Sequence, residues 1–223
     1  HDDQGQFQSE VILLLTRHDH APFCESRKAG LLVAAVVTYF SGRNEATGAN
    51  AARWKILVDA IEQLSAARNF ARIVDIVKYA GRRIASADGA TVVLREGNLC
   101  YYIDEDAISP LWKGHKFPMS SCISGWAMTN KQVVIVPDIY VDARIPHDAY
   151  RPTFVKSMVM VPIRTLDPIG AIGVYWARRY QANAQQVQVL QALADSTSIA
   201  LENVQVYAEL ETRIQQRTEE LAA

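Results

Sequence analysis

Apolar residues recur at helical spacing over residues 51–87. In the first half they fall three or four positions apart, at Trp54, Leu57, Val58, Ile61 and Leu64. A second stripe of the same kind is formed by Phe70, Ile73, Val74, Val77 and Ile84. This spacing puts apolar side chains on one face of an α-helix. The pattern predicts two amphipathic helices with a break near Asn69, stopped by the turn-forming pair Asp88-Gly89.

The hydrophobic period shortens after residue 90. Two β-prone runs, 91–95 and 99–103, flank Glu96-Gly97-Asn98, which is a hairpin signal. Further strands are predicted at 132–136, 157–164 and 169–178, with a turn at Asp167-Pro168. Short helical or loop segments are expected between the strands, at 107–113, 123–130 and 142–154. Pro162 cannot donate to a sheet ladder, so we expect it at a strand edge or a bulge.

Residues 183–223 contain neither Gly nor Pro and are rich in Ala, Leu, Gln and Glu. They predict one helix of about 40 residues, roughly 60 Å long, which exceeds the diameter of a small domain. An imperfect heptad seam, with Arg217 in one slot, is formed by Tyr207, Leu210, Ile214 and Leu221. We expect this seam, with Leu57 and Ile61, to join two copies in a parallel homodimer. A solvated helical tail is the alternative.

Composition restricts the function without naming it. The 223 residues carry a net charge of −1, which disfavours binding to nucleic acid. The longest apolar run, Gly30 to Phe40, is about half of what a membrane-spanning helix needs, so no membrane insertion is expected. Cys24, Cys100 and Cys122 are widely spaced, which is typical of free thiols in a reducing, cytoplasmic compartment. Length predicts one full domain plus extra segments. The patterns along the chain place the domain at 51–205, with extensions at 1–50 (fold unclear) and 206–223 (start of a coiled-coil helix).

Three phrases follow one another along the chain: Ile123-Ser124-Gly125-Trp126-Ala127, then Val136-Pro137-Asp138-Ile139-Tyr140, then Met160-Val161-Pro162-Ile163 with the glycine-containing strand that follows. Together they resemble the GAF domain, the sensory module of many bacterial histidine kinases and cyclic-dinucleotide enzymes. The likeness covers about residues 52–205. It implies an α+β fold: an antiparallel sheet of five to six strands with helices on one face. On the other face, a roof (residues 105–130 and 138–156) covers a small-molecule pocket. Residues 213–221 resemble the signalling helix that follows such domains.

The resemblance makes several polar and aromatic groups candidates for ligand binding: Trp112, Trp126, Tyr140, Arg144, His147, Tyr150 and Tyr175. A pocket needs apolar walls and a few aimed polar groups, and these residue types supply both. The alternative is structural. Aromatic residues of the roof would then be core anchors, while Asp138, Asp142 and Arg144 would close loops by hydrogen bonds.

The cofactor remains unknown. Members that bind cyclic nucleotides carry an Asn-Lys pair, a distant Phe and an acidic pair. Asn130-Lys131 and Phe154 fit, but Met158-Val159 replaces the acidic pair. A covalent bilin needs a cysteine near 142–156, where none lies. His18, His20 and Cys24 lack a fourth metal ligand, so no metal site is predicted.

We expect a regulatory sensor of a signal-transduction protein, such as a two-component histidine kinase. It would bind a small molecule or report a redox or light cue, and relay it through the C-terminal helix to an output domain. No catalytic motif is found, so no enzyme is predicted. One alternative is a ligand-free dimerisation module, which a space filled by Trp126, Met160 and Tyr175 would favour. The other is a free methionine sulfoxide reductase. Ser124 and His147 stand at its expected thiol positions, and we expect Cys122 to be aimed elsewhere.

Overall fold

The computed structural model of the chain describes residues 48–164 and 166–222. The N-terminal extension and the group of His18, His20 and Cys24 lie outside the described residues. The predictions made for them therefore stay predictions.

Two helices form where the apolar stripes predict them. Helix α1 spans Gly48–Ala66 and α2 spans Phe70–Ala85. The break between them is stabilised by Asn69, whose Oδ1 accepts a hydrogen bond of 2.9 Å from the backbone N–H of Arg72. Helix α2 ends at Ser86, which has a left-handed φ of 50°. The chain therefore turns at Ser86, earlier than the predicted turn at Asp88-Gly89. Gly89 is instead the first residue of a strand.

The sheet has six strands in the order β3-β2-β1-β6-β5-β4. All neighbouring pairs are antiparallel. The bounds are β1 (Gly89–Glu96), β2 (Leu99–Ala107), β3 (Lys116–Pro118), β4 (Val134–Val136), β5 (Ser157–Ile163) and β6 (Gly170–Trp176). The fold class and the β1–β2 hairpin are confirmed. Strand β3 was not predicted, because three residues at a sheet edge carry too little periodicity to detect.

Pro162 lies in a strand that has neighbours on both sides, yet it breaks no ladder. Strand β5 pairs with β6 from Ser157 to Ile163. Its other neighbour, β4, pairs only with Met158, Val159 and Met160. Pro162 lies beyond the end of β4, so it occupies a local edge, where its missing N–H costs nothing.

One face of the sheet is covered by helices. Val161 and Val174 of the central strands pack there with Leu57 of α1, Val77 of α2 and Leu190 of the long C-terminal helix. Helix α5 spans Ala184–Ala222 and has 39 residues, as its composition predicts. Leu57 is fully buried in this core. It therefore supports the fold of its own chain and cannot face a partner, which corrects its assignment to a dimer surface.

The other face carries the roof. It contains a 3₁₀ turn at Met119–Ser121, helix α3 at Ile123–Asn130 and the short helix α4 at His147–Tyr150. The segment 107–113 forms bends and a turn without a helix. This two-layer arrangement around one sheet is the one that the family resemblance implies.

Gly173 gives a test of how tightly the roof-side face is packed. A Cβ built there would lie 2.8 Å from Thr91 Oγ1 and would collide with the Tyr175 hydroxyl. We expect Gly173→Ala to lower the free energy of unfolding by about 1–3 kcal/mol through overpacking. Urea unfolding is the measurement, with Gly48→Ala as control, since no atom lies within 4 Å of its added Cβ. Equal midpoints for the Gly173 variant and the parent would contradict this packing.

Candidate functional site

The roof-side face of the sheet holds a cluster of packed aromatic rings. The ring of Trp112 lies edge-on to Tyr150 at a centroid distance of 4.8 Å and to Tyr175 at 5.7 Å. Tyr102 meets Trp112 at 5.6 Å. All four side chains are buried. Edge-to-face rings at these distances are a stable core arrangement.

Glu105 fixes the loop that carries Trp112. Its carboxylate accepts backbone N–H groups from Leu111 at 2.8 Å and from Trp112 and Lys113 at 2.9 Å each. A carboxylate that collects three amides holds an irregular loop without regular secondary structure. The loop therefore inserts Trp112 into the core cluster.

Three of the ligand candidates thus stand in the interior as core residues. Tyr175 is fully buried, and its hydroxyl lies 2.9 Å from that of Thr91. Tyr150 donates to Met158 Sδ at 3.9 Å. With Trp112, they occupy the space between roof and sheet.

The remaining candidates lie at the rim of the roof. The Arg144 guanidinium lies 4.7 Å from the ring centroid of Trp126, which is half-buried. Arg144 also pairs with Asp142, whose Oδ1 accepts the Arg144 backbone N–H at 3.0 Å. The hydrogen bond from Arg144 lowers the pKa of Asp142. Asp138 accepts the N–H of Tyr140 at 3.0 Å. The loop-closing roles of Asp138 and Asp142 are therefore present.

Tyr140 and His147 form the second part of the rim. Their rings lie 6.1 Å apart, and Lys156 Nζ donates to the Tyr140 hydroxyl at 3.1 Å. Among the residues that the structure describes, none offers a hydrogen-bond partner to His147 Nε2, although this atom is buried. The rim therefore holds one unsatisfied polar atom beside exposed aromatic and cationic groups.

A pair of cysteines lies within the roof-side core and was not found from the sequence. Cys100 is buried on β2, and Cys122 is the half-buried residue that precedes α3. Each thiol shifts the pKa of the other. The Ser124 hydroxyl donates to Cys122 Sγ at 3.4 Å, and its oxygen lies 3.0 Å from the Tyr102 hydroxyl. Cys122 is thus aimed at Ser124 and the core, against our expectation that it points elsewhere.

The local fold explains how two cysteines 22 positions apart come to share the roof-side core. The backbone N–H of Met119 donates to Asn98 O at 3.0 Å, which ties the 3₁₀ turn to the tip of the β1–β2 hairpin. A Cβ on Gly125 would collide with the Met119 backbone, so only glycine allows α3 to start this close to the turn. The sequence feature that could have indicated this site is Cys122, because it directly precedes the predicted helical segment 123–130.

The surroundings make the Cys122 thiol more acidic and the Cys100 thiol less acidic than a free cysteine. The hydrogen bond from Cys100 lowers the pKa of Cys122 to about 6, against the effect of burial, and the Ser124 hydroxyl and the first N–H groups of α3 act in the same direction. The same pairing, together with burial, raises the pKa of Cys100. A thiol at a helix N-terminus commonly shows this behaviour.

Other groups interact electrostatically with the pair. Arg95 is a cation that acts on Cys100. Burial raises the pKa of Tyr102, Tyr150 and Tyr175, and the charge of Cys122 acts on each in the same direction. These tyrosines are therefore neutral at physiological pH, and the Glu105 carboxylate is a second negative charge that acts on Tyr175.

Two kinds of feature are absent from the described parts of the chain. No group of three or more His, Cys, Asp or Glu side chains there is arranged to hold a metal ion. None of the described helices is long and apolar enough to cross a bilayer.

Comparison with known proteins identifies the fold. The family model of the GAF domain matches residues 57–202. No curated protein matches the chain.

Solved structures with this fold have low sequence identity. The free methionine-R-sulfoxide reductase from Neisseria meningitidis, solved with its substrate, is 14% identical with a TM-score of 0.63, over 74% of this chain and 97% of that chain. The GAF domain of an Acinetobacter phosphoenolpyruvate-protein phosphotransferase is 12% identical with a TM-score of 0.61, and the match covers 70% of this chain and 97% of that chain. The GAF-B domain of DevS from Mycobacterium smegmatis is 16% identical with a TM-score of 0.51, and the match covers 65% of this chain and 98% of that chain. At these identities the likeness shows the fold alone.

The alkylation of Cys122 tests the electrostatics of the thiol pair. Its rate with iodoacetamide should rise through pH 6 and level off near neutrality, because only the thiolate reacts. Cys100→Ala removes the hydrogen-bond donor, so the midpoint should move up toward the ordinary value of about 8.5. Peptide mass spectrometry measures the alkylation rate of Cys122 against pH, with Cys100 present and with Cys100→Ala, both in a Cys24→Ser background. A parent midpoint already near the ordinary value would contradict the assignment.

Proposed function

The chain belongs to the GAF domain family, and from this premise we propose that it is a regulatory sensor domain of a signal-transduction protein. A change beneath or at the rim of the roof would alter the packing of the sheet. Helix α5 would carry that change to an output domain, such as a histidine kinase, in the same polypeptide.

The observation that carries this proposal is the course of helix α5. Its first half is part of the core, where Leu190 and Leu193 are fully buried. Its second half leaves the sheet and exposes Tyr207 by 52%, Leu210 by 46% and Ile214 by 65%. One continuous helix therefore connects the core to an apolar seam that the described residues leave largely exposed.

We propose that a second copy of the chain covers that seam in a parallel homodimer. Tyr207, Leu210 and Ile214 follow the three- and four-residue steps of a coiled coil. The ring of Tyr207 lies under the Arg68 guanidinium at 5.3 Å, which anchors the start of the seam to the turn between α1 and α2. Ile61 is half-buried and remains a candidate contact, whereas Leu57 does not.

A small-molecule ligand would bind at the rim. The interior candidates Trp112, Tyr150 and Tyr175 are packed against one another, so they would form the floor beneath such a site. Trp126, Tyr140, Arg144 and His147 remain accessible in whole or in part and combine apolar surface with a cation and an unsatisfied imidazole nitrogen. The GAF domain of the Acinetobacter phosphotransferase is part of a larger enzyme, which supports a regulatory role within a longer chain.

The second candidate is a ligand-free dimerisation module. It is favoured by the complete burial of Met160 and Tyr175 beneath the roof, although Trp126 is only half-buried. Native mass spectrometry of the purified protein separates the two functions. A compound that copurifies with the protein supports the sensor function, and so does a rise in melting temperature when a compound is added.

The third candidate is a free methionine sulfoxide reductase, which the presence of Cys100 and Cys122 in one roof-side cluster favours. Under the sensor proposal, reduced protein with dithiothreitol shows no turnover of methionine sulfoxide. Turnover that Cys122→Ser abolishes would establish the reductase instead.

The seam on α5 makes the dimer testable. Leu210→Glu with Ile214→Glu should convert a dimer into a monomer, because four like charges would face one another across the interface. Light scattering of the full chain over a concentration series is the measurement. Gln216→Glu, which adds a charge at an exposed position outside the seam, should leave the dimer intact. A parent protein that is monomeric at high micromolar concentration would contradict the proposal.

A further inference from the structure

We propose that Arg164 and Glu202 form a latch that fixes the point at which helix α5 leaves the core, and that opening this ion pair loosens the exposed half of the helix. Arg164 follows strand β5, and its Nη2 donates to Glu202 Oε1 at 2.5 Å. The signalling role of the latch rests on the proposed sensor function, because the latch is a joint through which the sheet would act on the helix.

The first argument is the backbone of Arg164, which has a left-handed φ of 64°. This conformation is uncommon for residues other than glycine. The other described non-glycine residues with positive φ, Ser86 and Lys131, are the C-caps of helices α2 and α3. Arg164 follows a strand and caps no helix. Its strained backbone instead accompanies a side chain that reaches from the end of β5 to helix α5.

The turn that carries Arg164 is fixed to the sheet. The backbone N–H of Ile169 donates to Ile163 O at 3.1 Å, which closes the turn between β5 and β6. Arg95 of β1 donates its backbone N–H to Ile169 O at 2.9 Å and pairs with Asp167 at 3.5 Å. A displacement of β5 or β6 at this end of the sheet therefore moves the base from which the Arg164 side chain extends.

Glu202 stands where helix α5 leaves the core. Ala200 and Leu201, directly before it, are buried, whereas Val206 is exposed. The Ser198 hydroxyl, one helical turn earlier, donates to Glu202 Oε1 at 3.4 Å and so helps to orient the carboxylate. The ion pair thus joins the end of β5 to the last buried turn before the apolar seam.

The start of α5 is anchored as well. Gln186 is fully buried, and its Nε2 donates to Ala85 O at the end of α2 at 3.1 Å. Its backbone N–H donates to Asn183 Oδ1 at 2.9 Å, which caps the helix. The buried half of α5 is therefore held at both ends, by α2 at its start and by β5 at its exit.

The strength of the pair suits a contact that opens reversibly. The exposed fraction is 32% for the Arg164 side chain and 52% for Glu202. Ion pairs that are this exposed change an equilibrium by about two- to fivefold, and salt screens them. A small displacement of the turn is therefore sufficient to open the latch, and its loss is large enough to measure.

The test is a double-mutant cycle in the full chain, made of Arg164→Gln, Glu202→Gln and the double variant. Amide hydrogen exchange of residues 203–210 is measured at low salt and at one protein concentration. We expect exchange about two- to fivefold faster in each single variant, because the helix opens more often when the pair is lost. The double variant should exchange no faster than the single variants, because all three lack the same contact.

Two further variants separate the ion pair from other effects of substitution. Arg164→Glu combined with Glu202→Arg restores opposite charges and should return exchange toward the parent rate. Arg151→Gln is the matched control, since it removes an exposed pair with Asp148, 3.3 Å away on the roof. It should leave residues 203–210 unchanged. In about 1 M salt the parent should approach the rate of Arg164→Gln.

Two results would overturn the inference: single variants that exchange at the parent rate, or effects that simply add in the double variant. Near-UV circular dichroism checks folding. If a variant does not fold, the salt series decides, and parent exchange at 203–210 that is independent of salt contradicts the latch. None of these results affects the proposed sensor function, which the dimer and ligand experiments test. Conversely, a monomeric parent with a coupled pair would keep the latch and remove the relay.

Discussion

The complete burial of β5 and β6 on both faces is the constraint on which the rest of the structure depends. Every residue of Ser157–Ile163 and Gly170–Trp176 is buried. Strands of this kind need a covering layer on each side. Helices α1, α2 and α5 supply one layer, and the roof supplies the other. The roof is therefore part of the folded core, and its aromatic interior must stay packed for the sheet to stay dry.

The same constraint connects the thiol pair to helix α5. Strand β5 contacts α3 on the roof side and α5 on the helical side. Interiors packed at crystal-like density transmit small displacements, because few voids absorb them. A shift at Cys122 thus has a path of two contacts to the long helix. The rim, with Arg144 over Trp126 and the unsatisfied His147 nitrogen, lies on the same roof and offers a second entry point.

Sequence periodicity and the family resemblance accounted for most of the fold. The apolar stripes placed α1 and α2, the glycine-free segment placed α5, and the GAF-like phrases supplied the layers. The site was harder. Strand β6 is buried on both faces, so it shows no alternation that would tell whether Tyr175 faces the roof or the helices. Cys100 and Cys122 share the roof-side core only through β2 and the turn before α3, and no local pattern in the sequence indicates this across 22 residues.

Amide hydrogen exchange of the parent chain and of a Trp126→Ala variant tests most directly whether the roof and helix α5 are coupled, because Trp126 belongs to α3. The account predicts altered exchange in α3, in β5 and in α5 as far as residue 214 in the variant. Altered exchange confined to residues 119–130, with β5 and α5 unchanged, would contradict it.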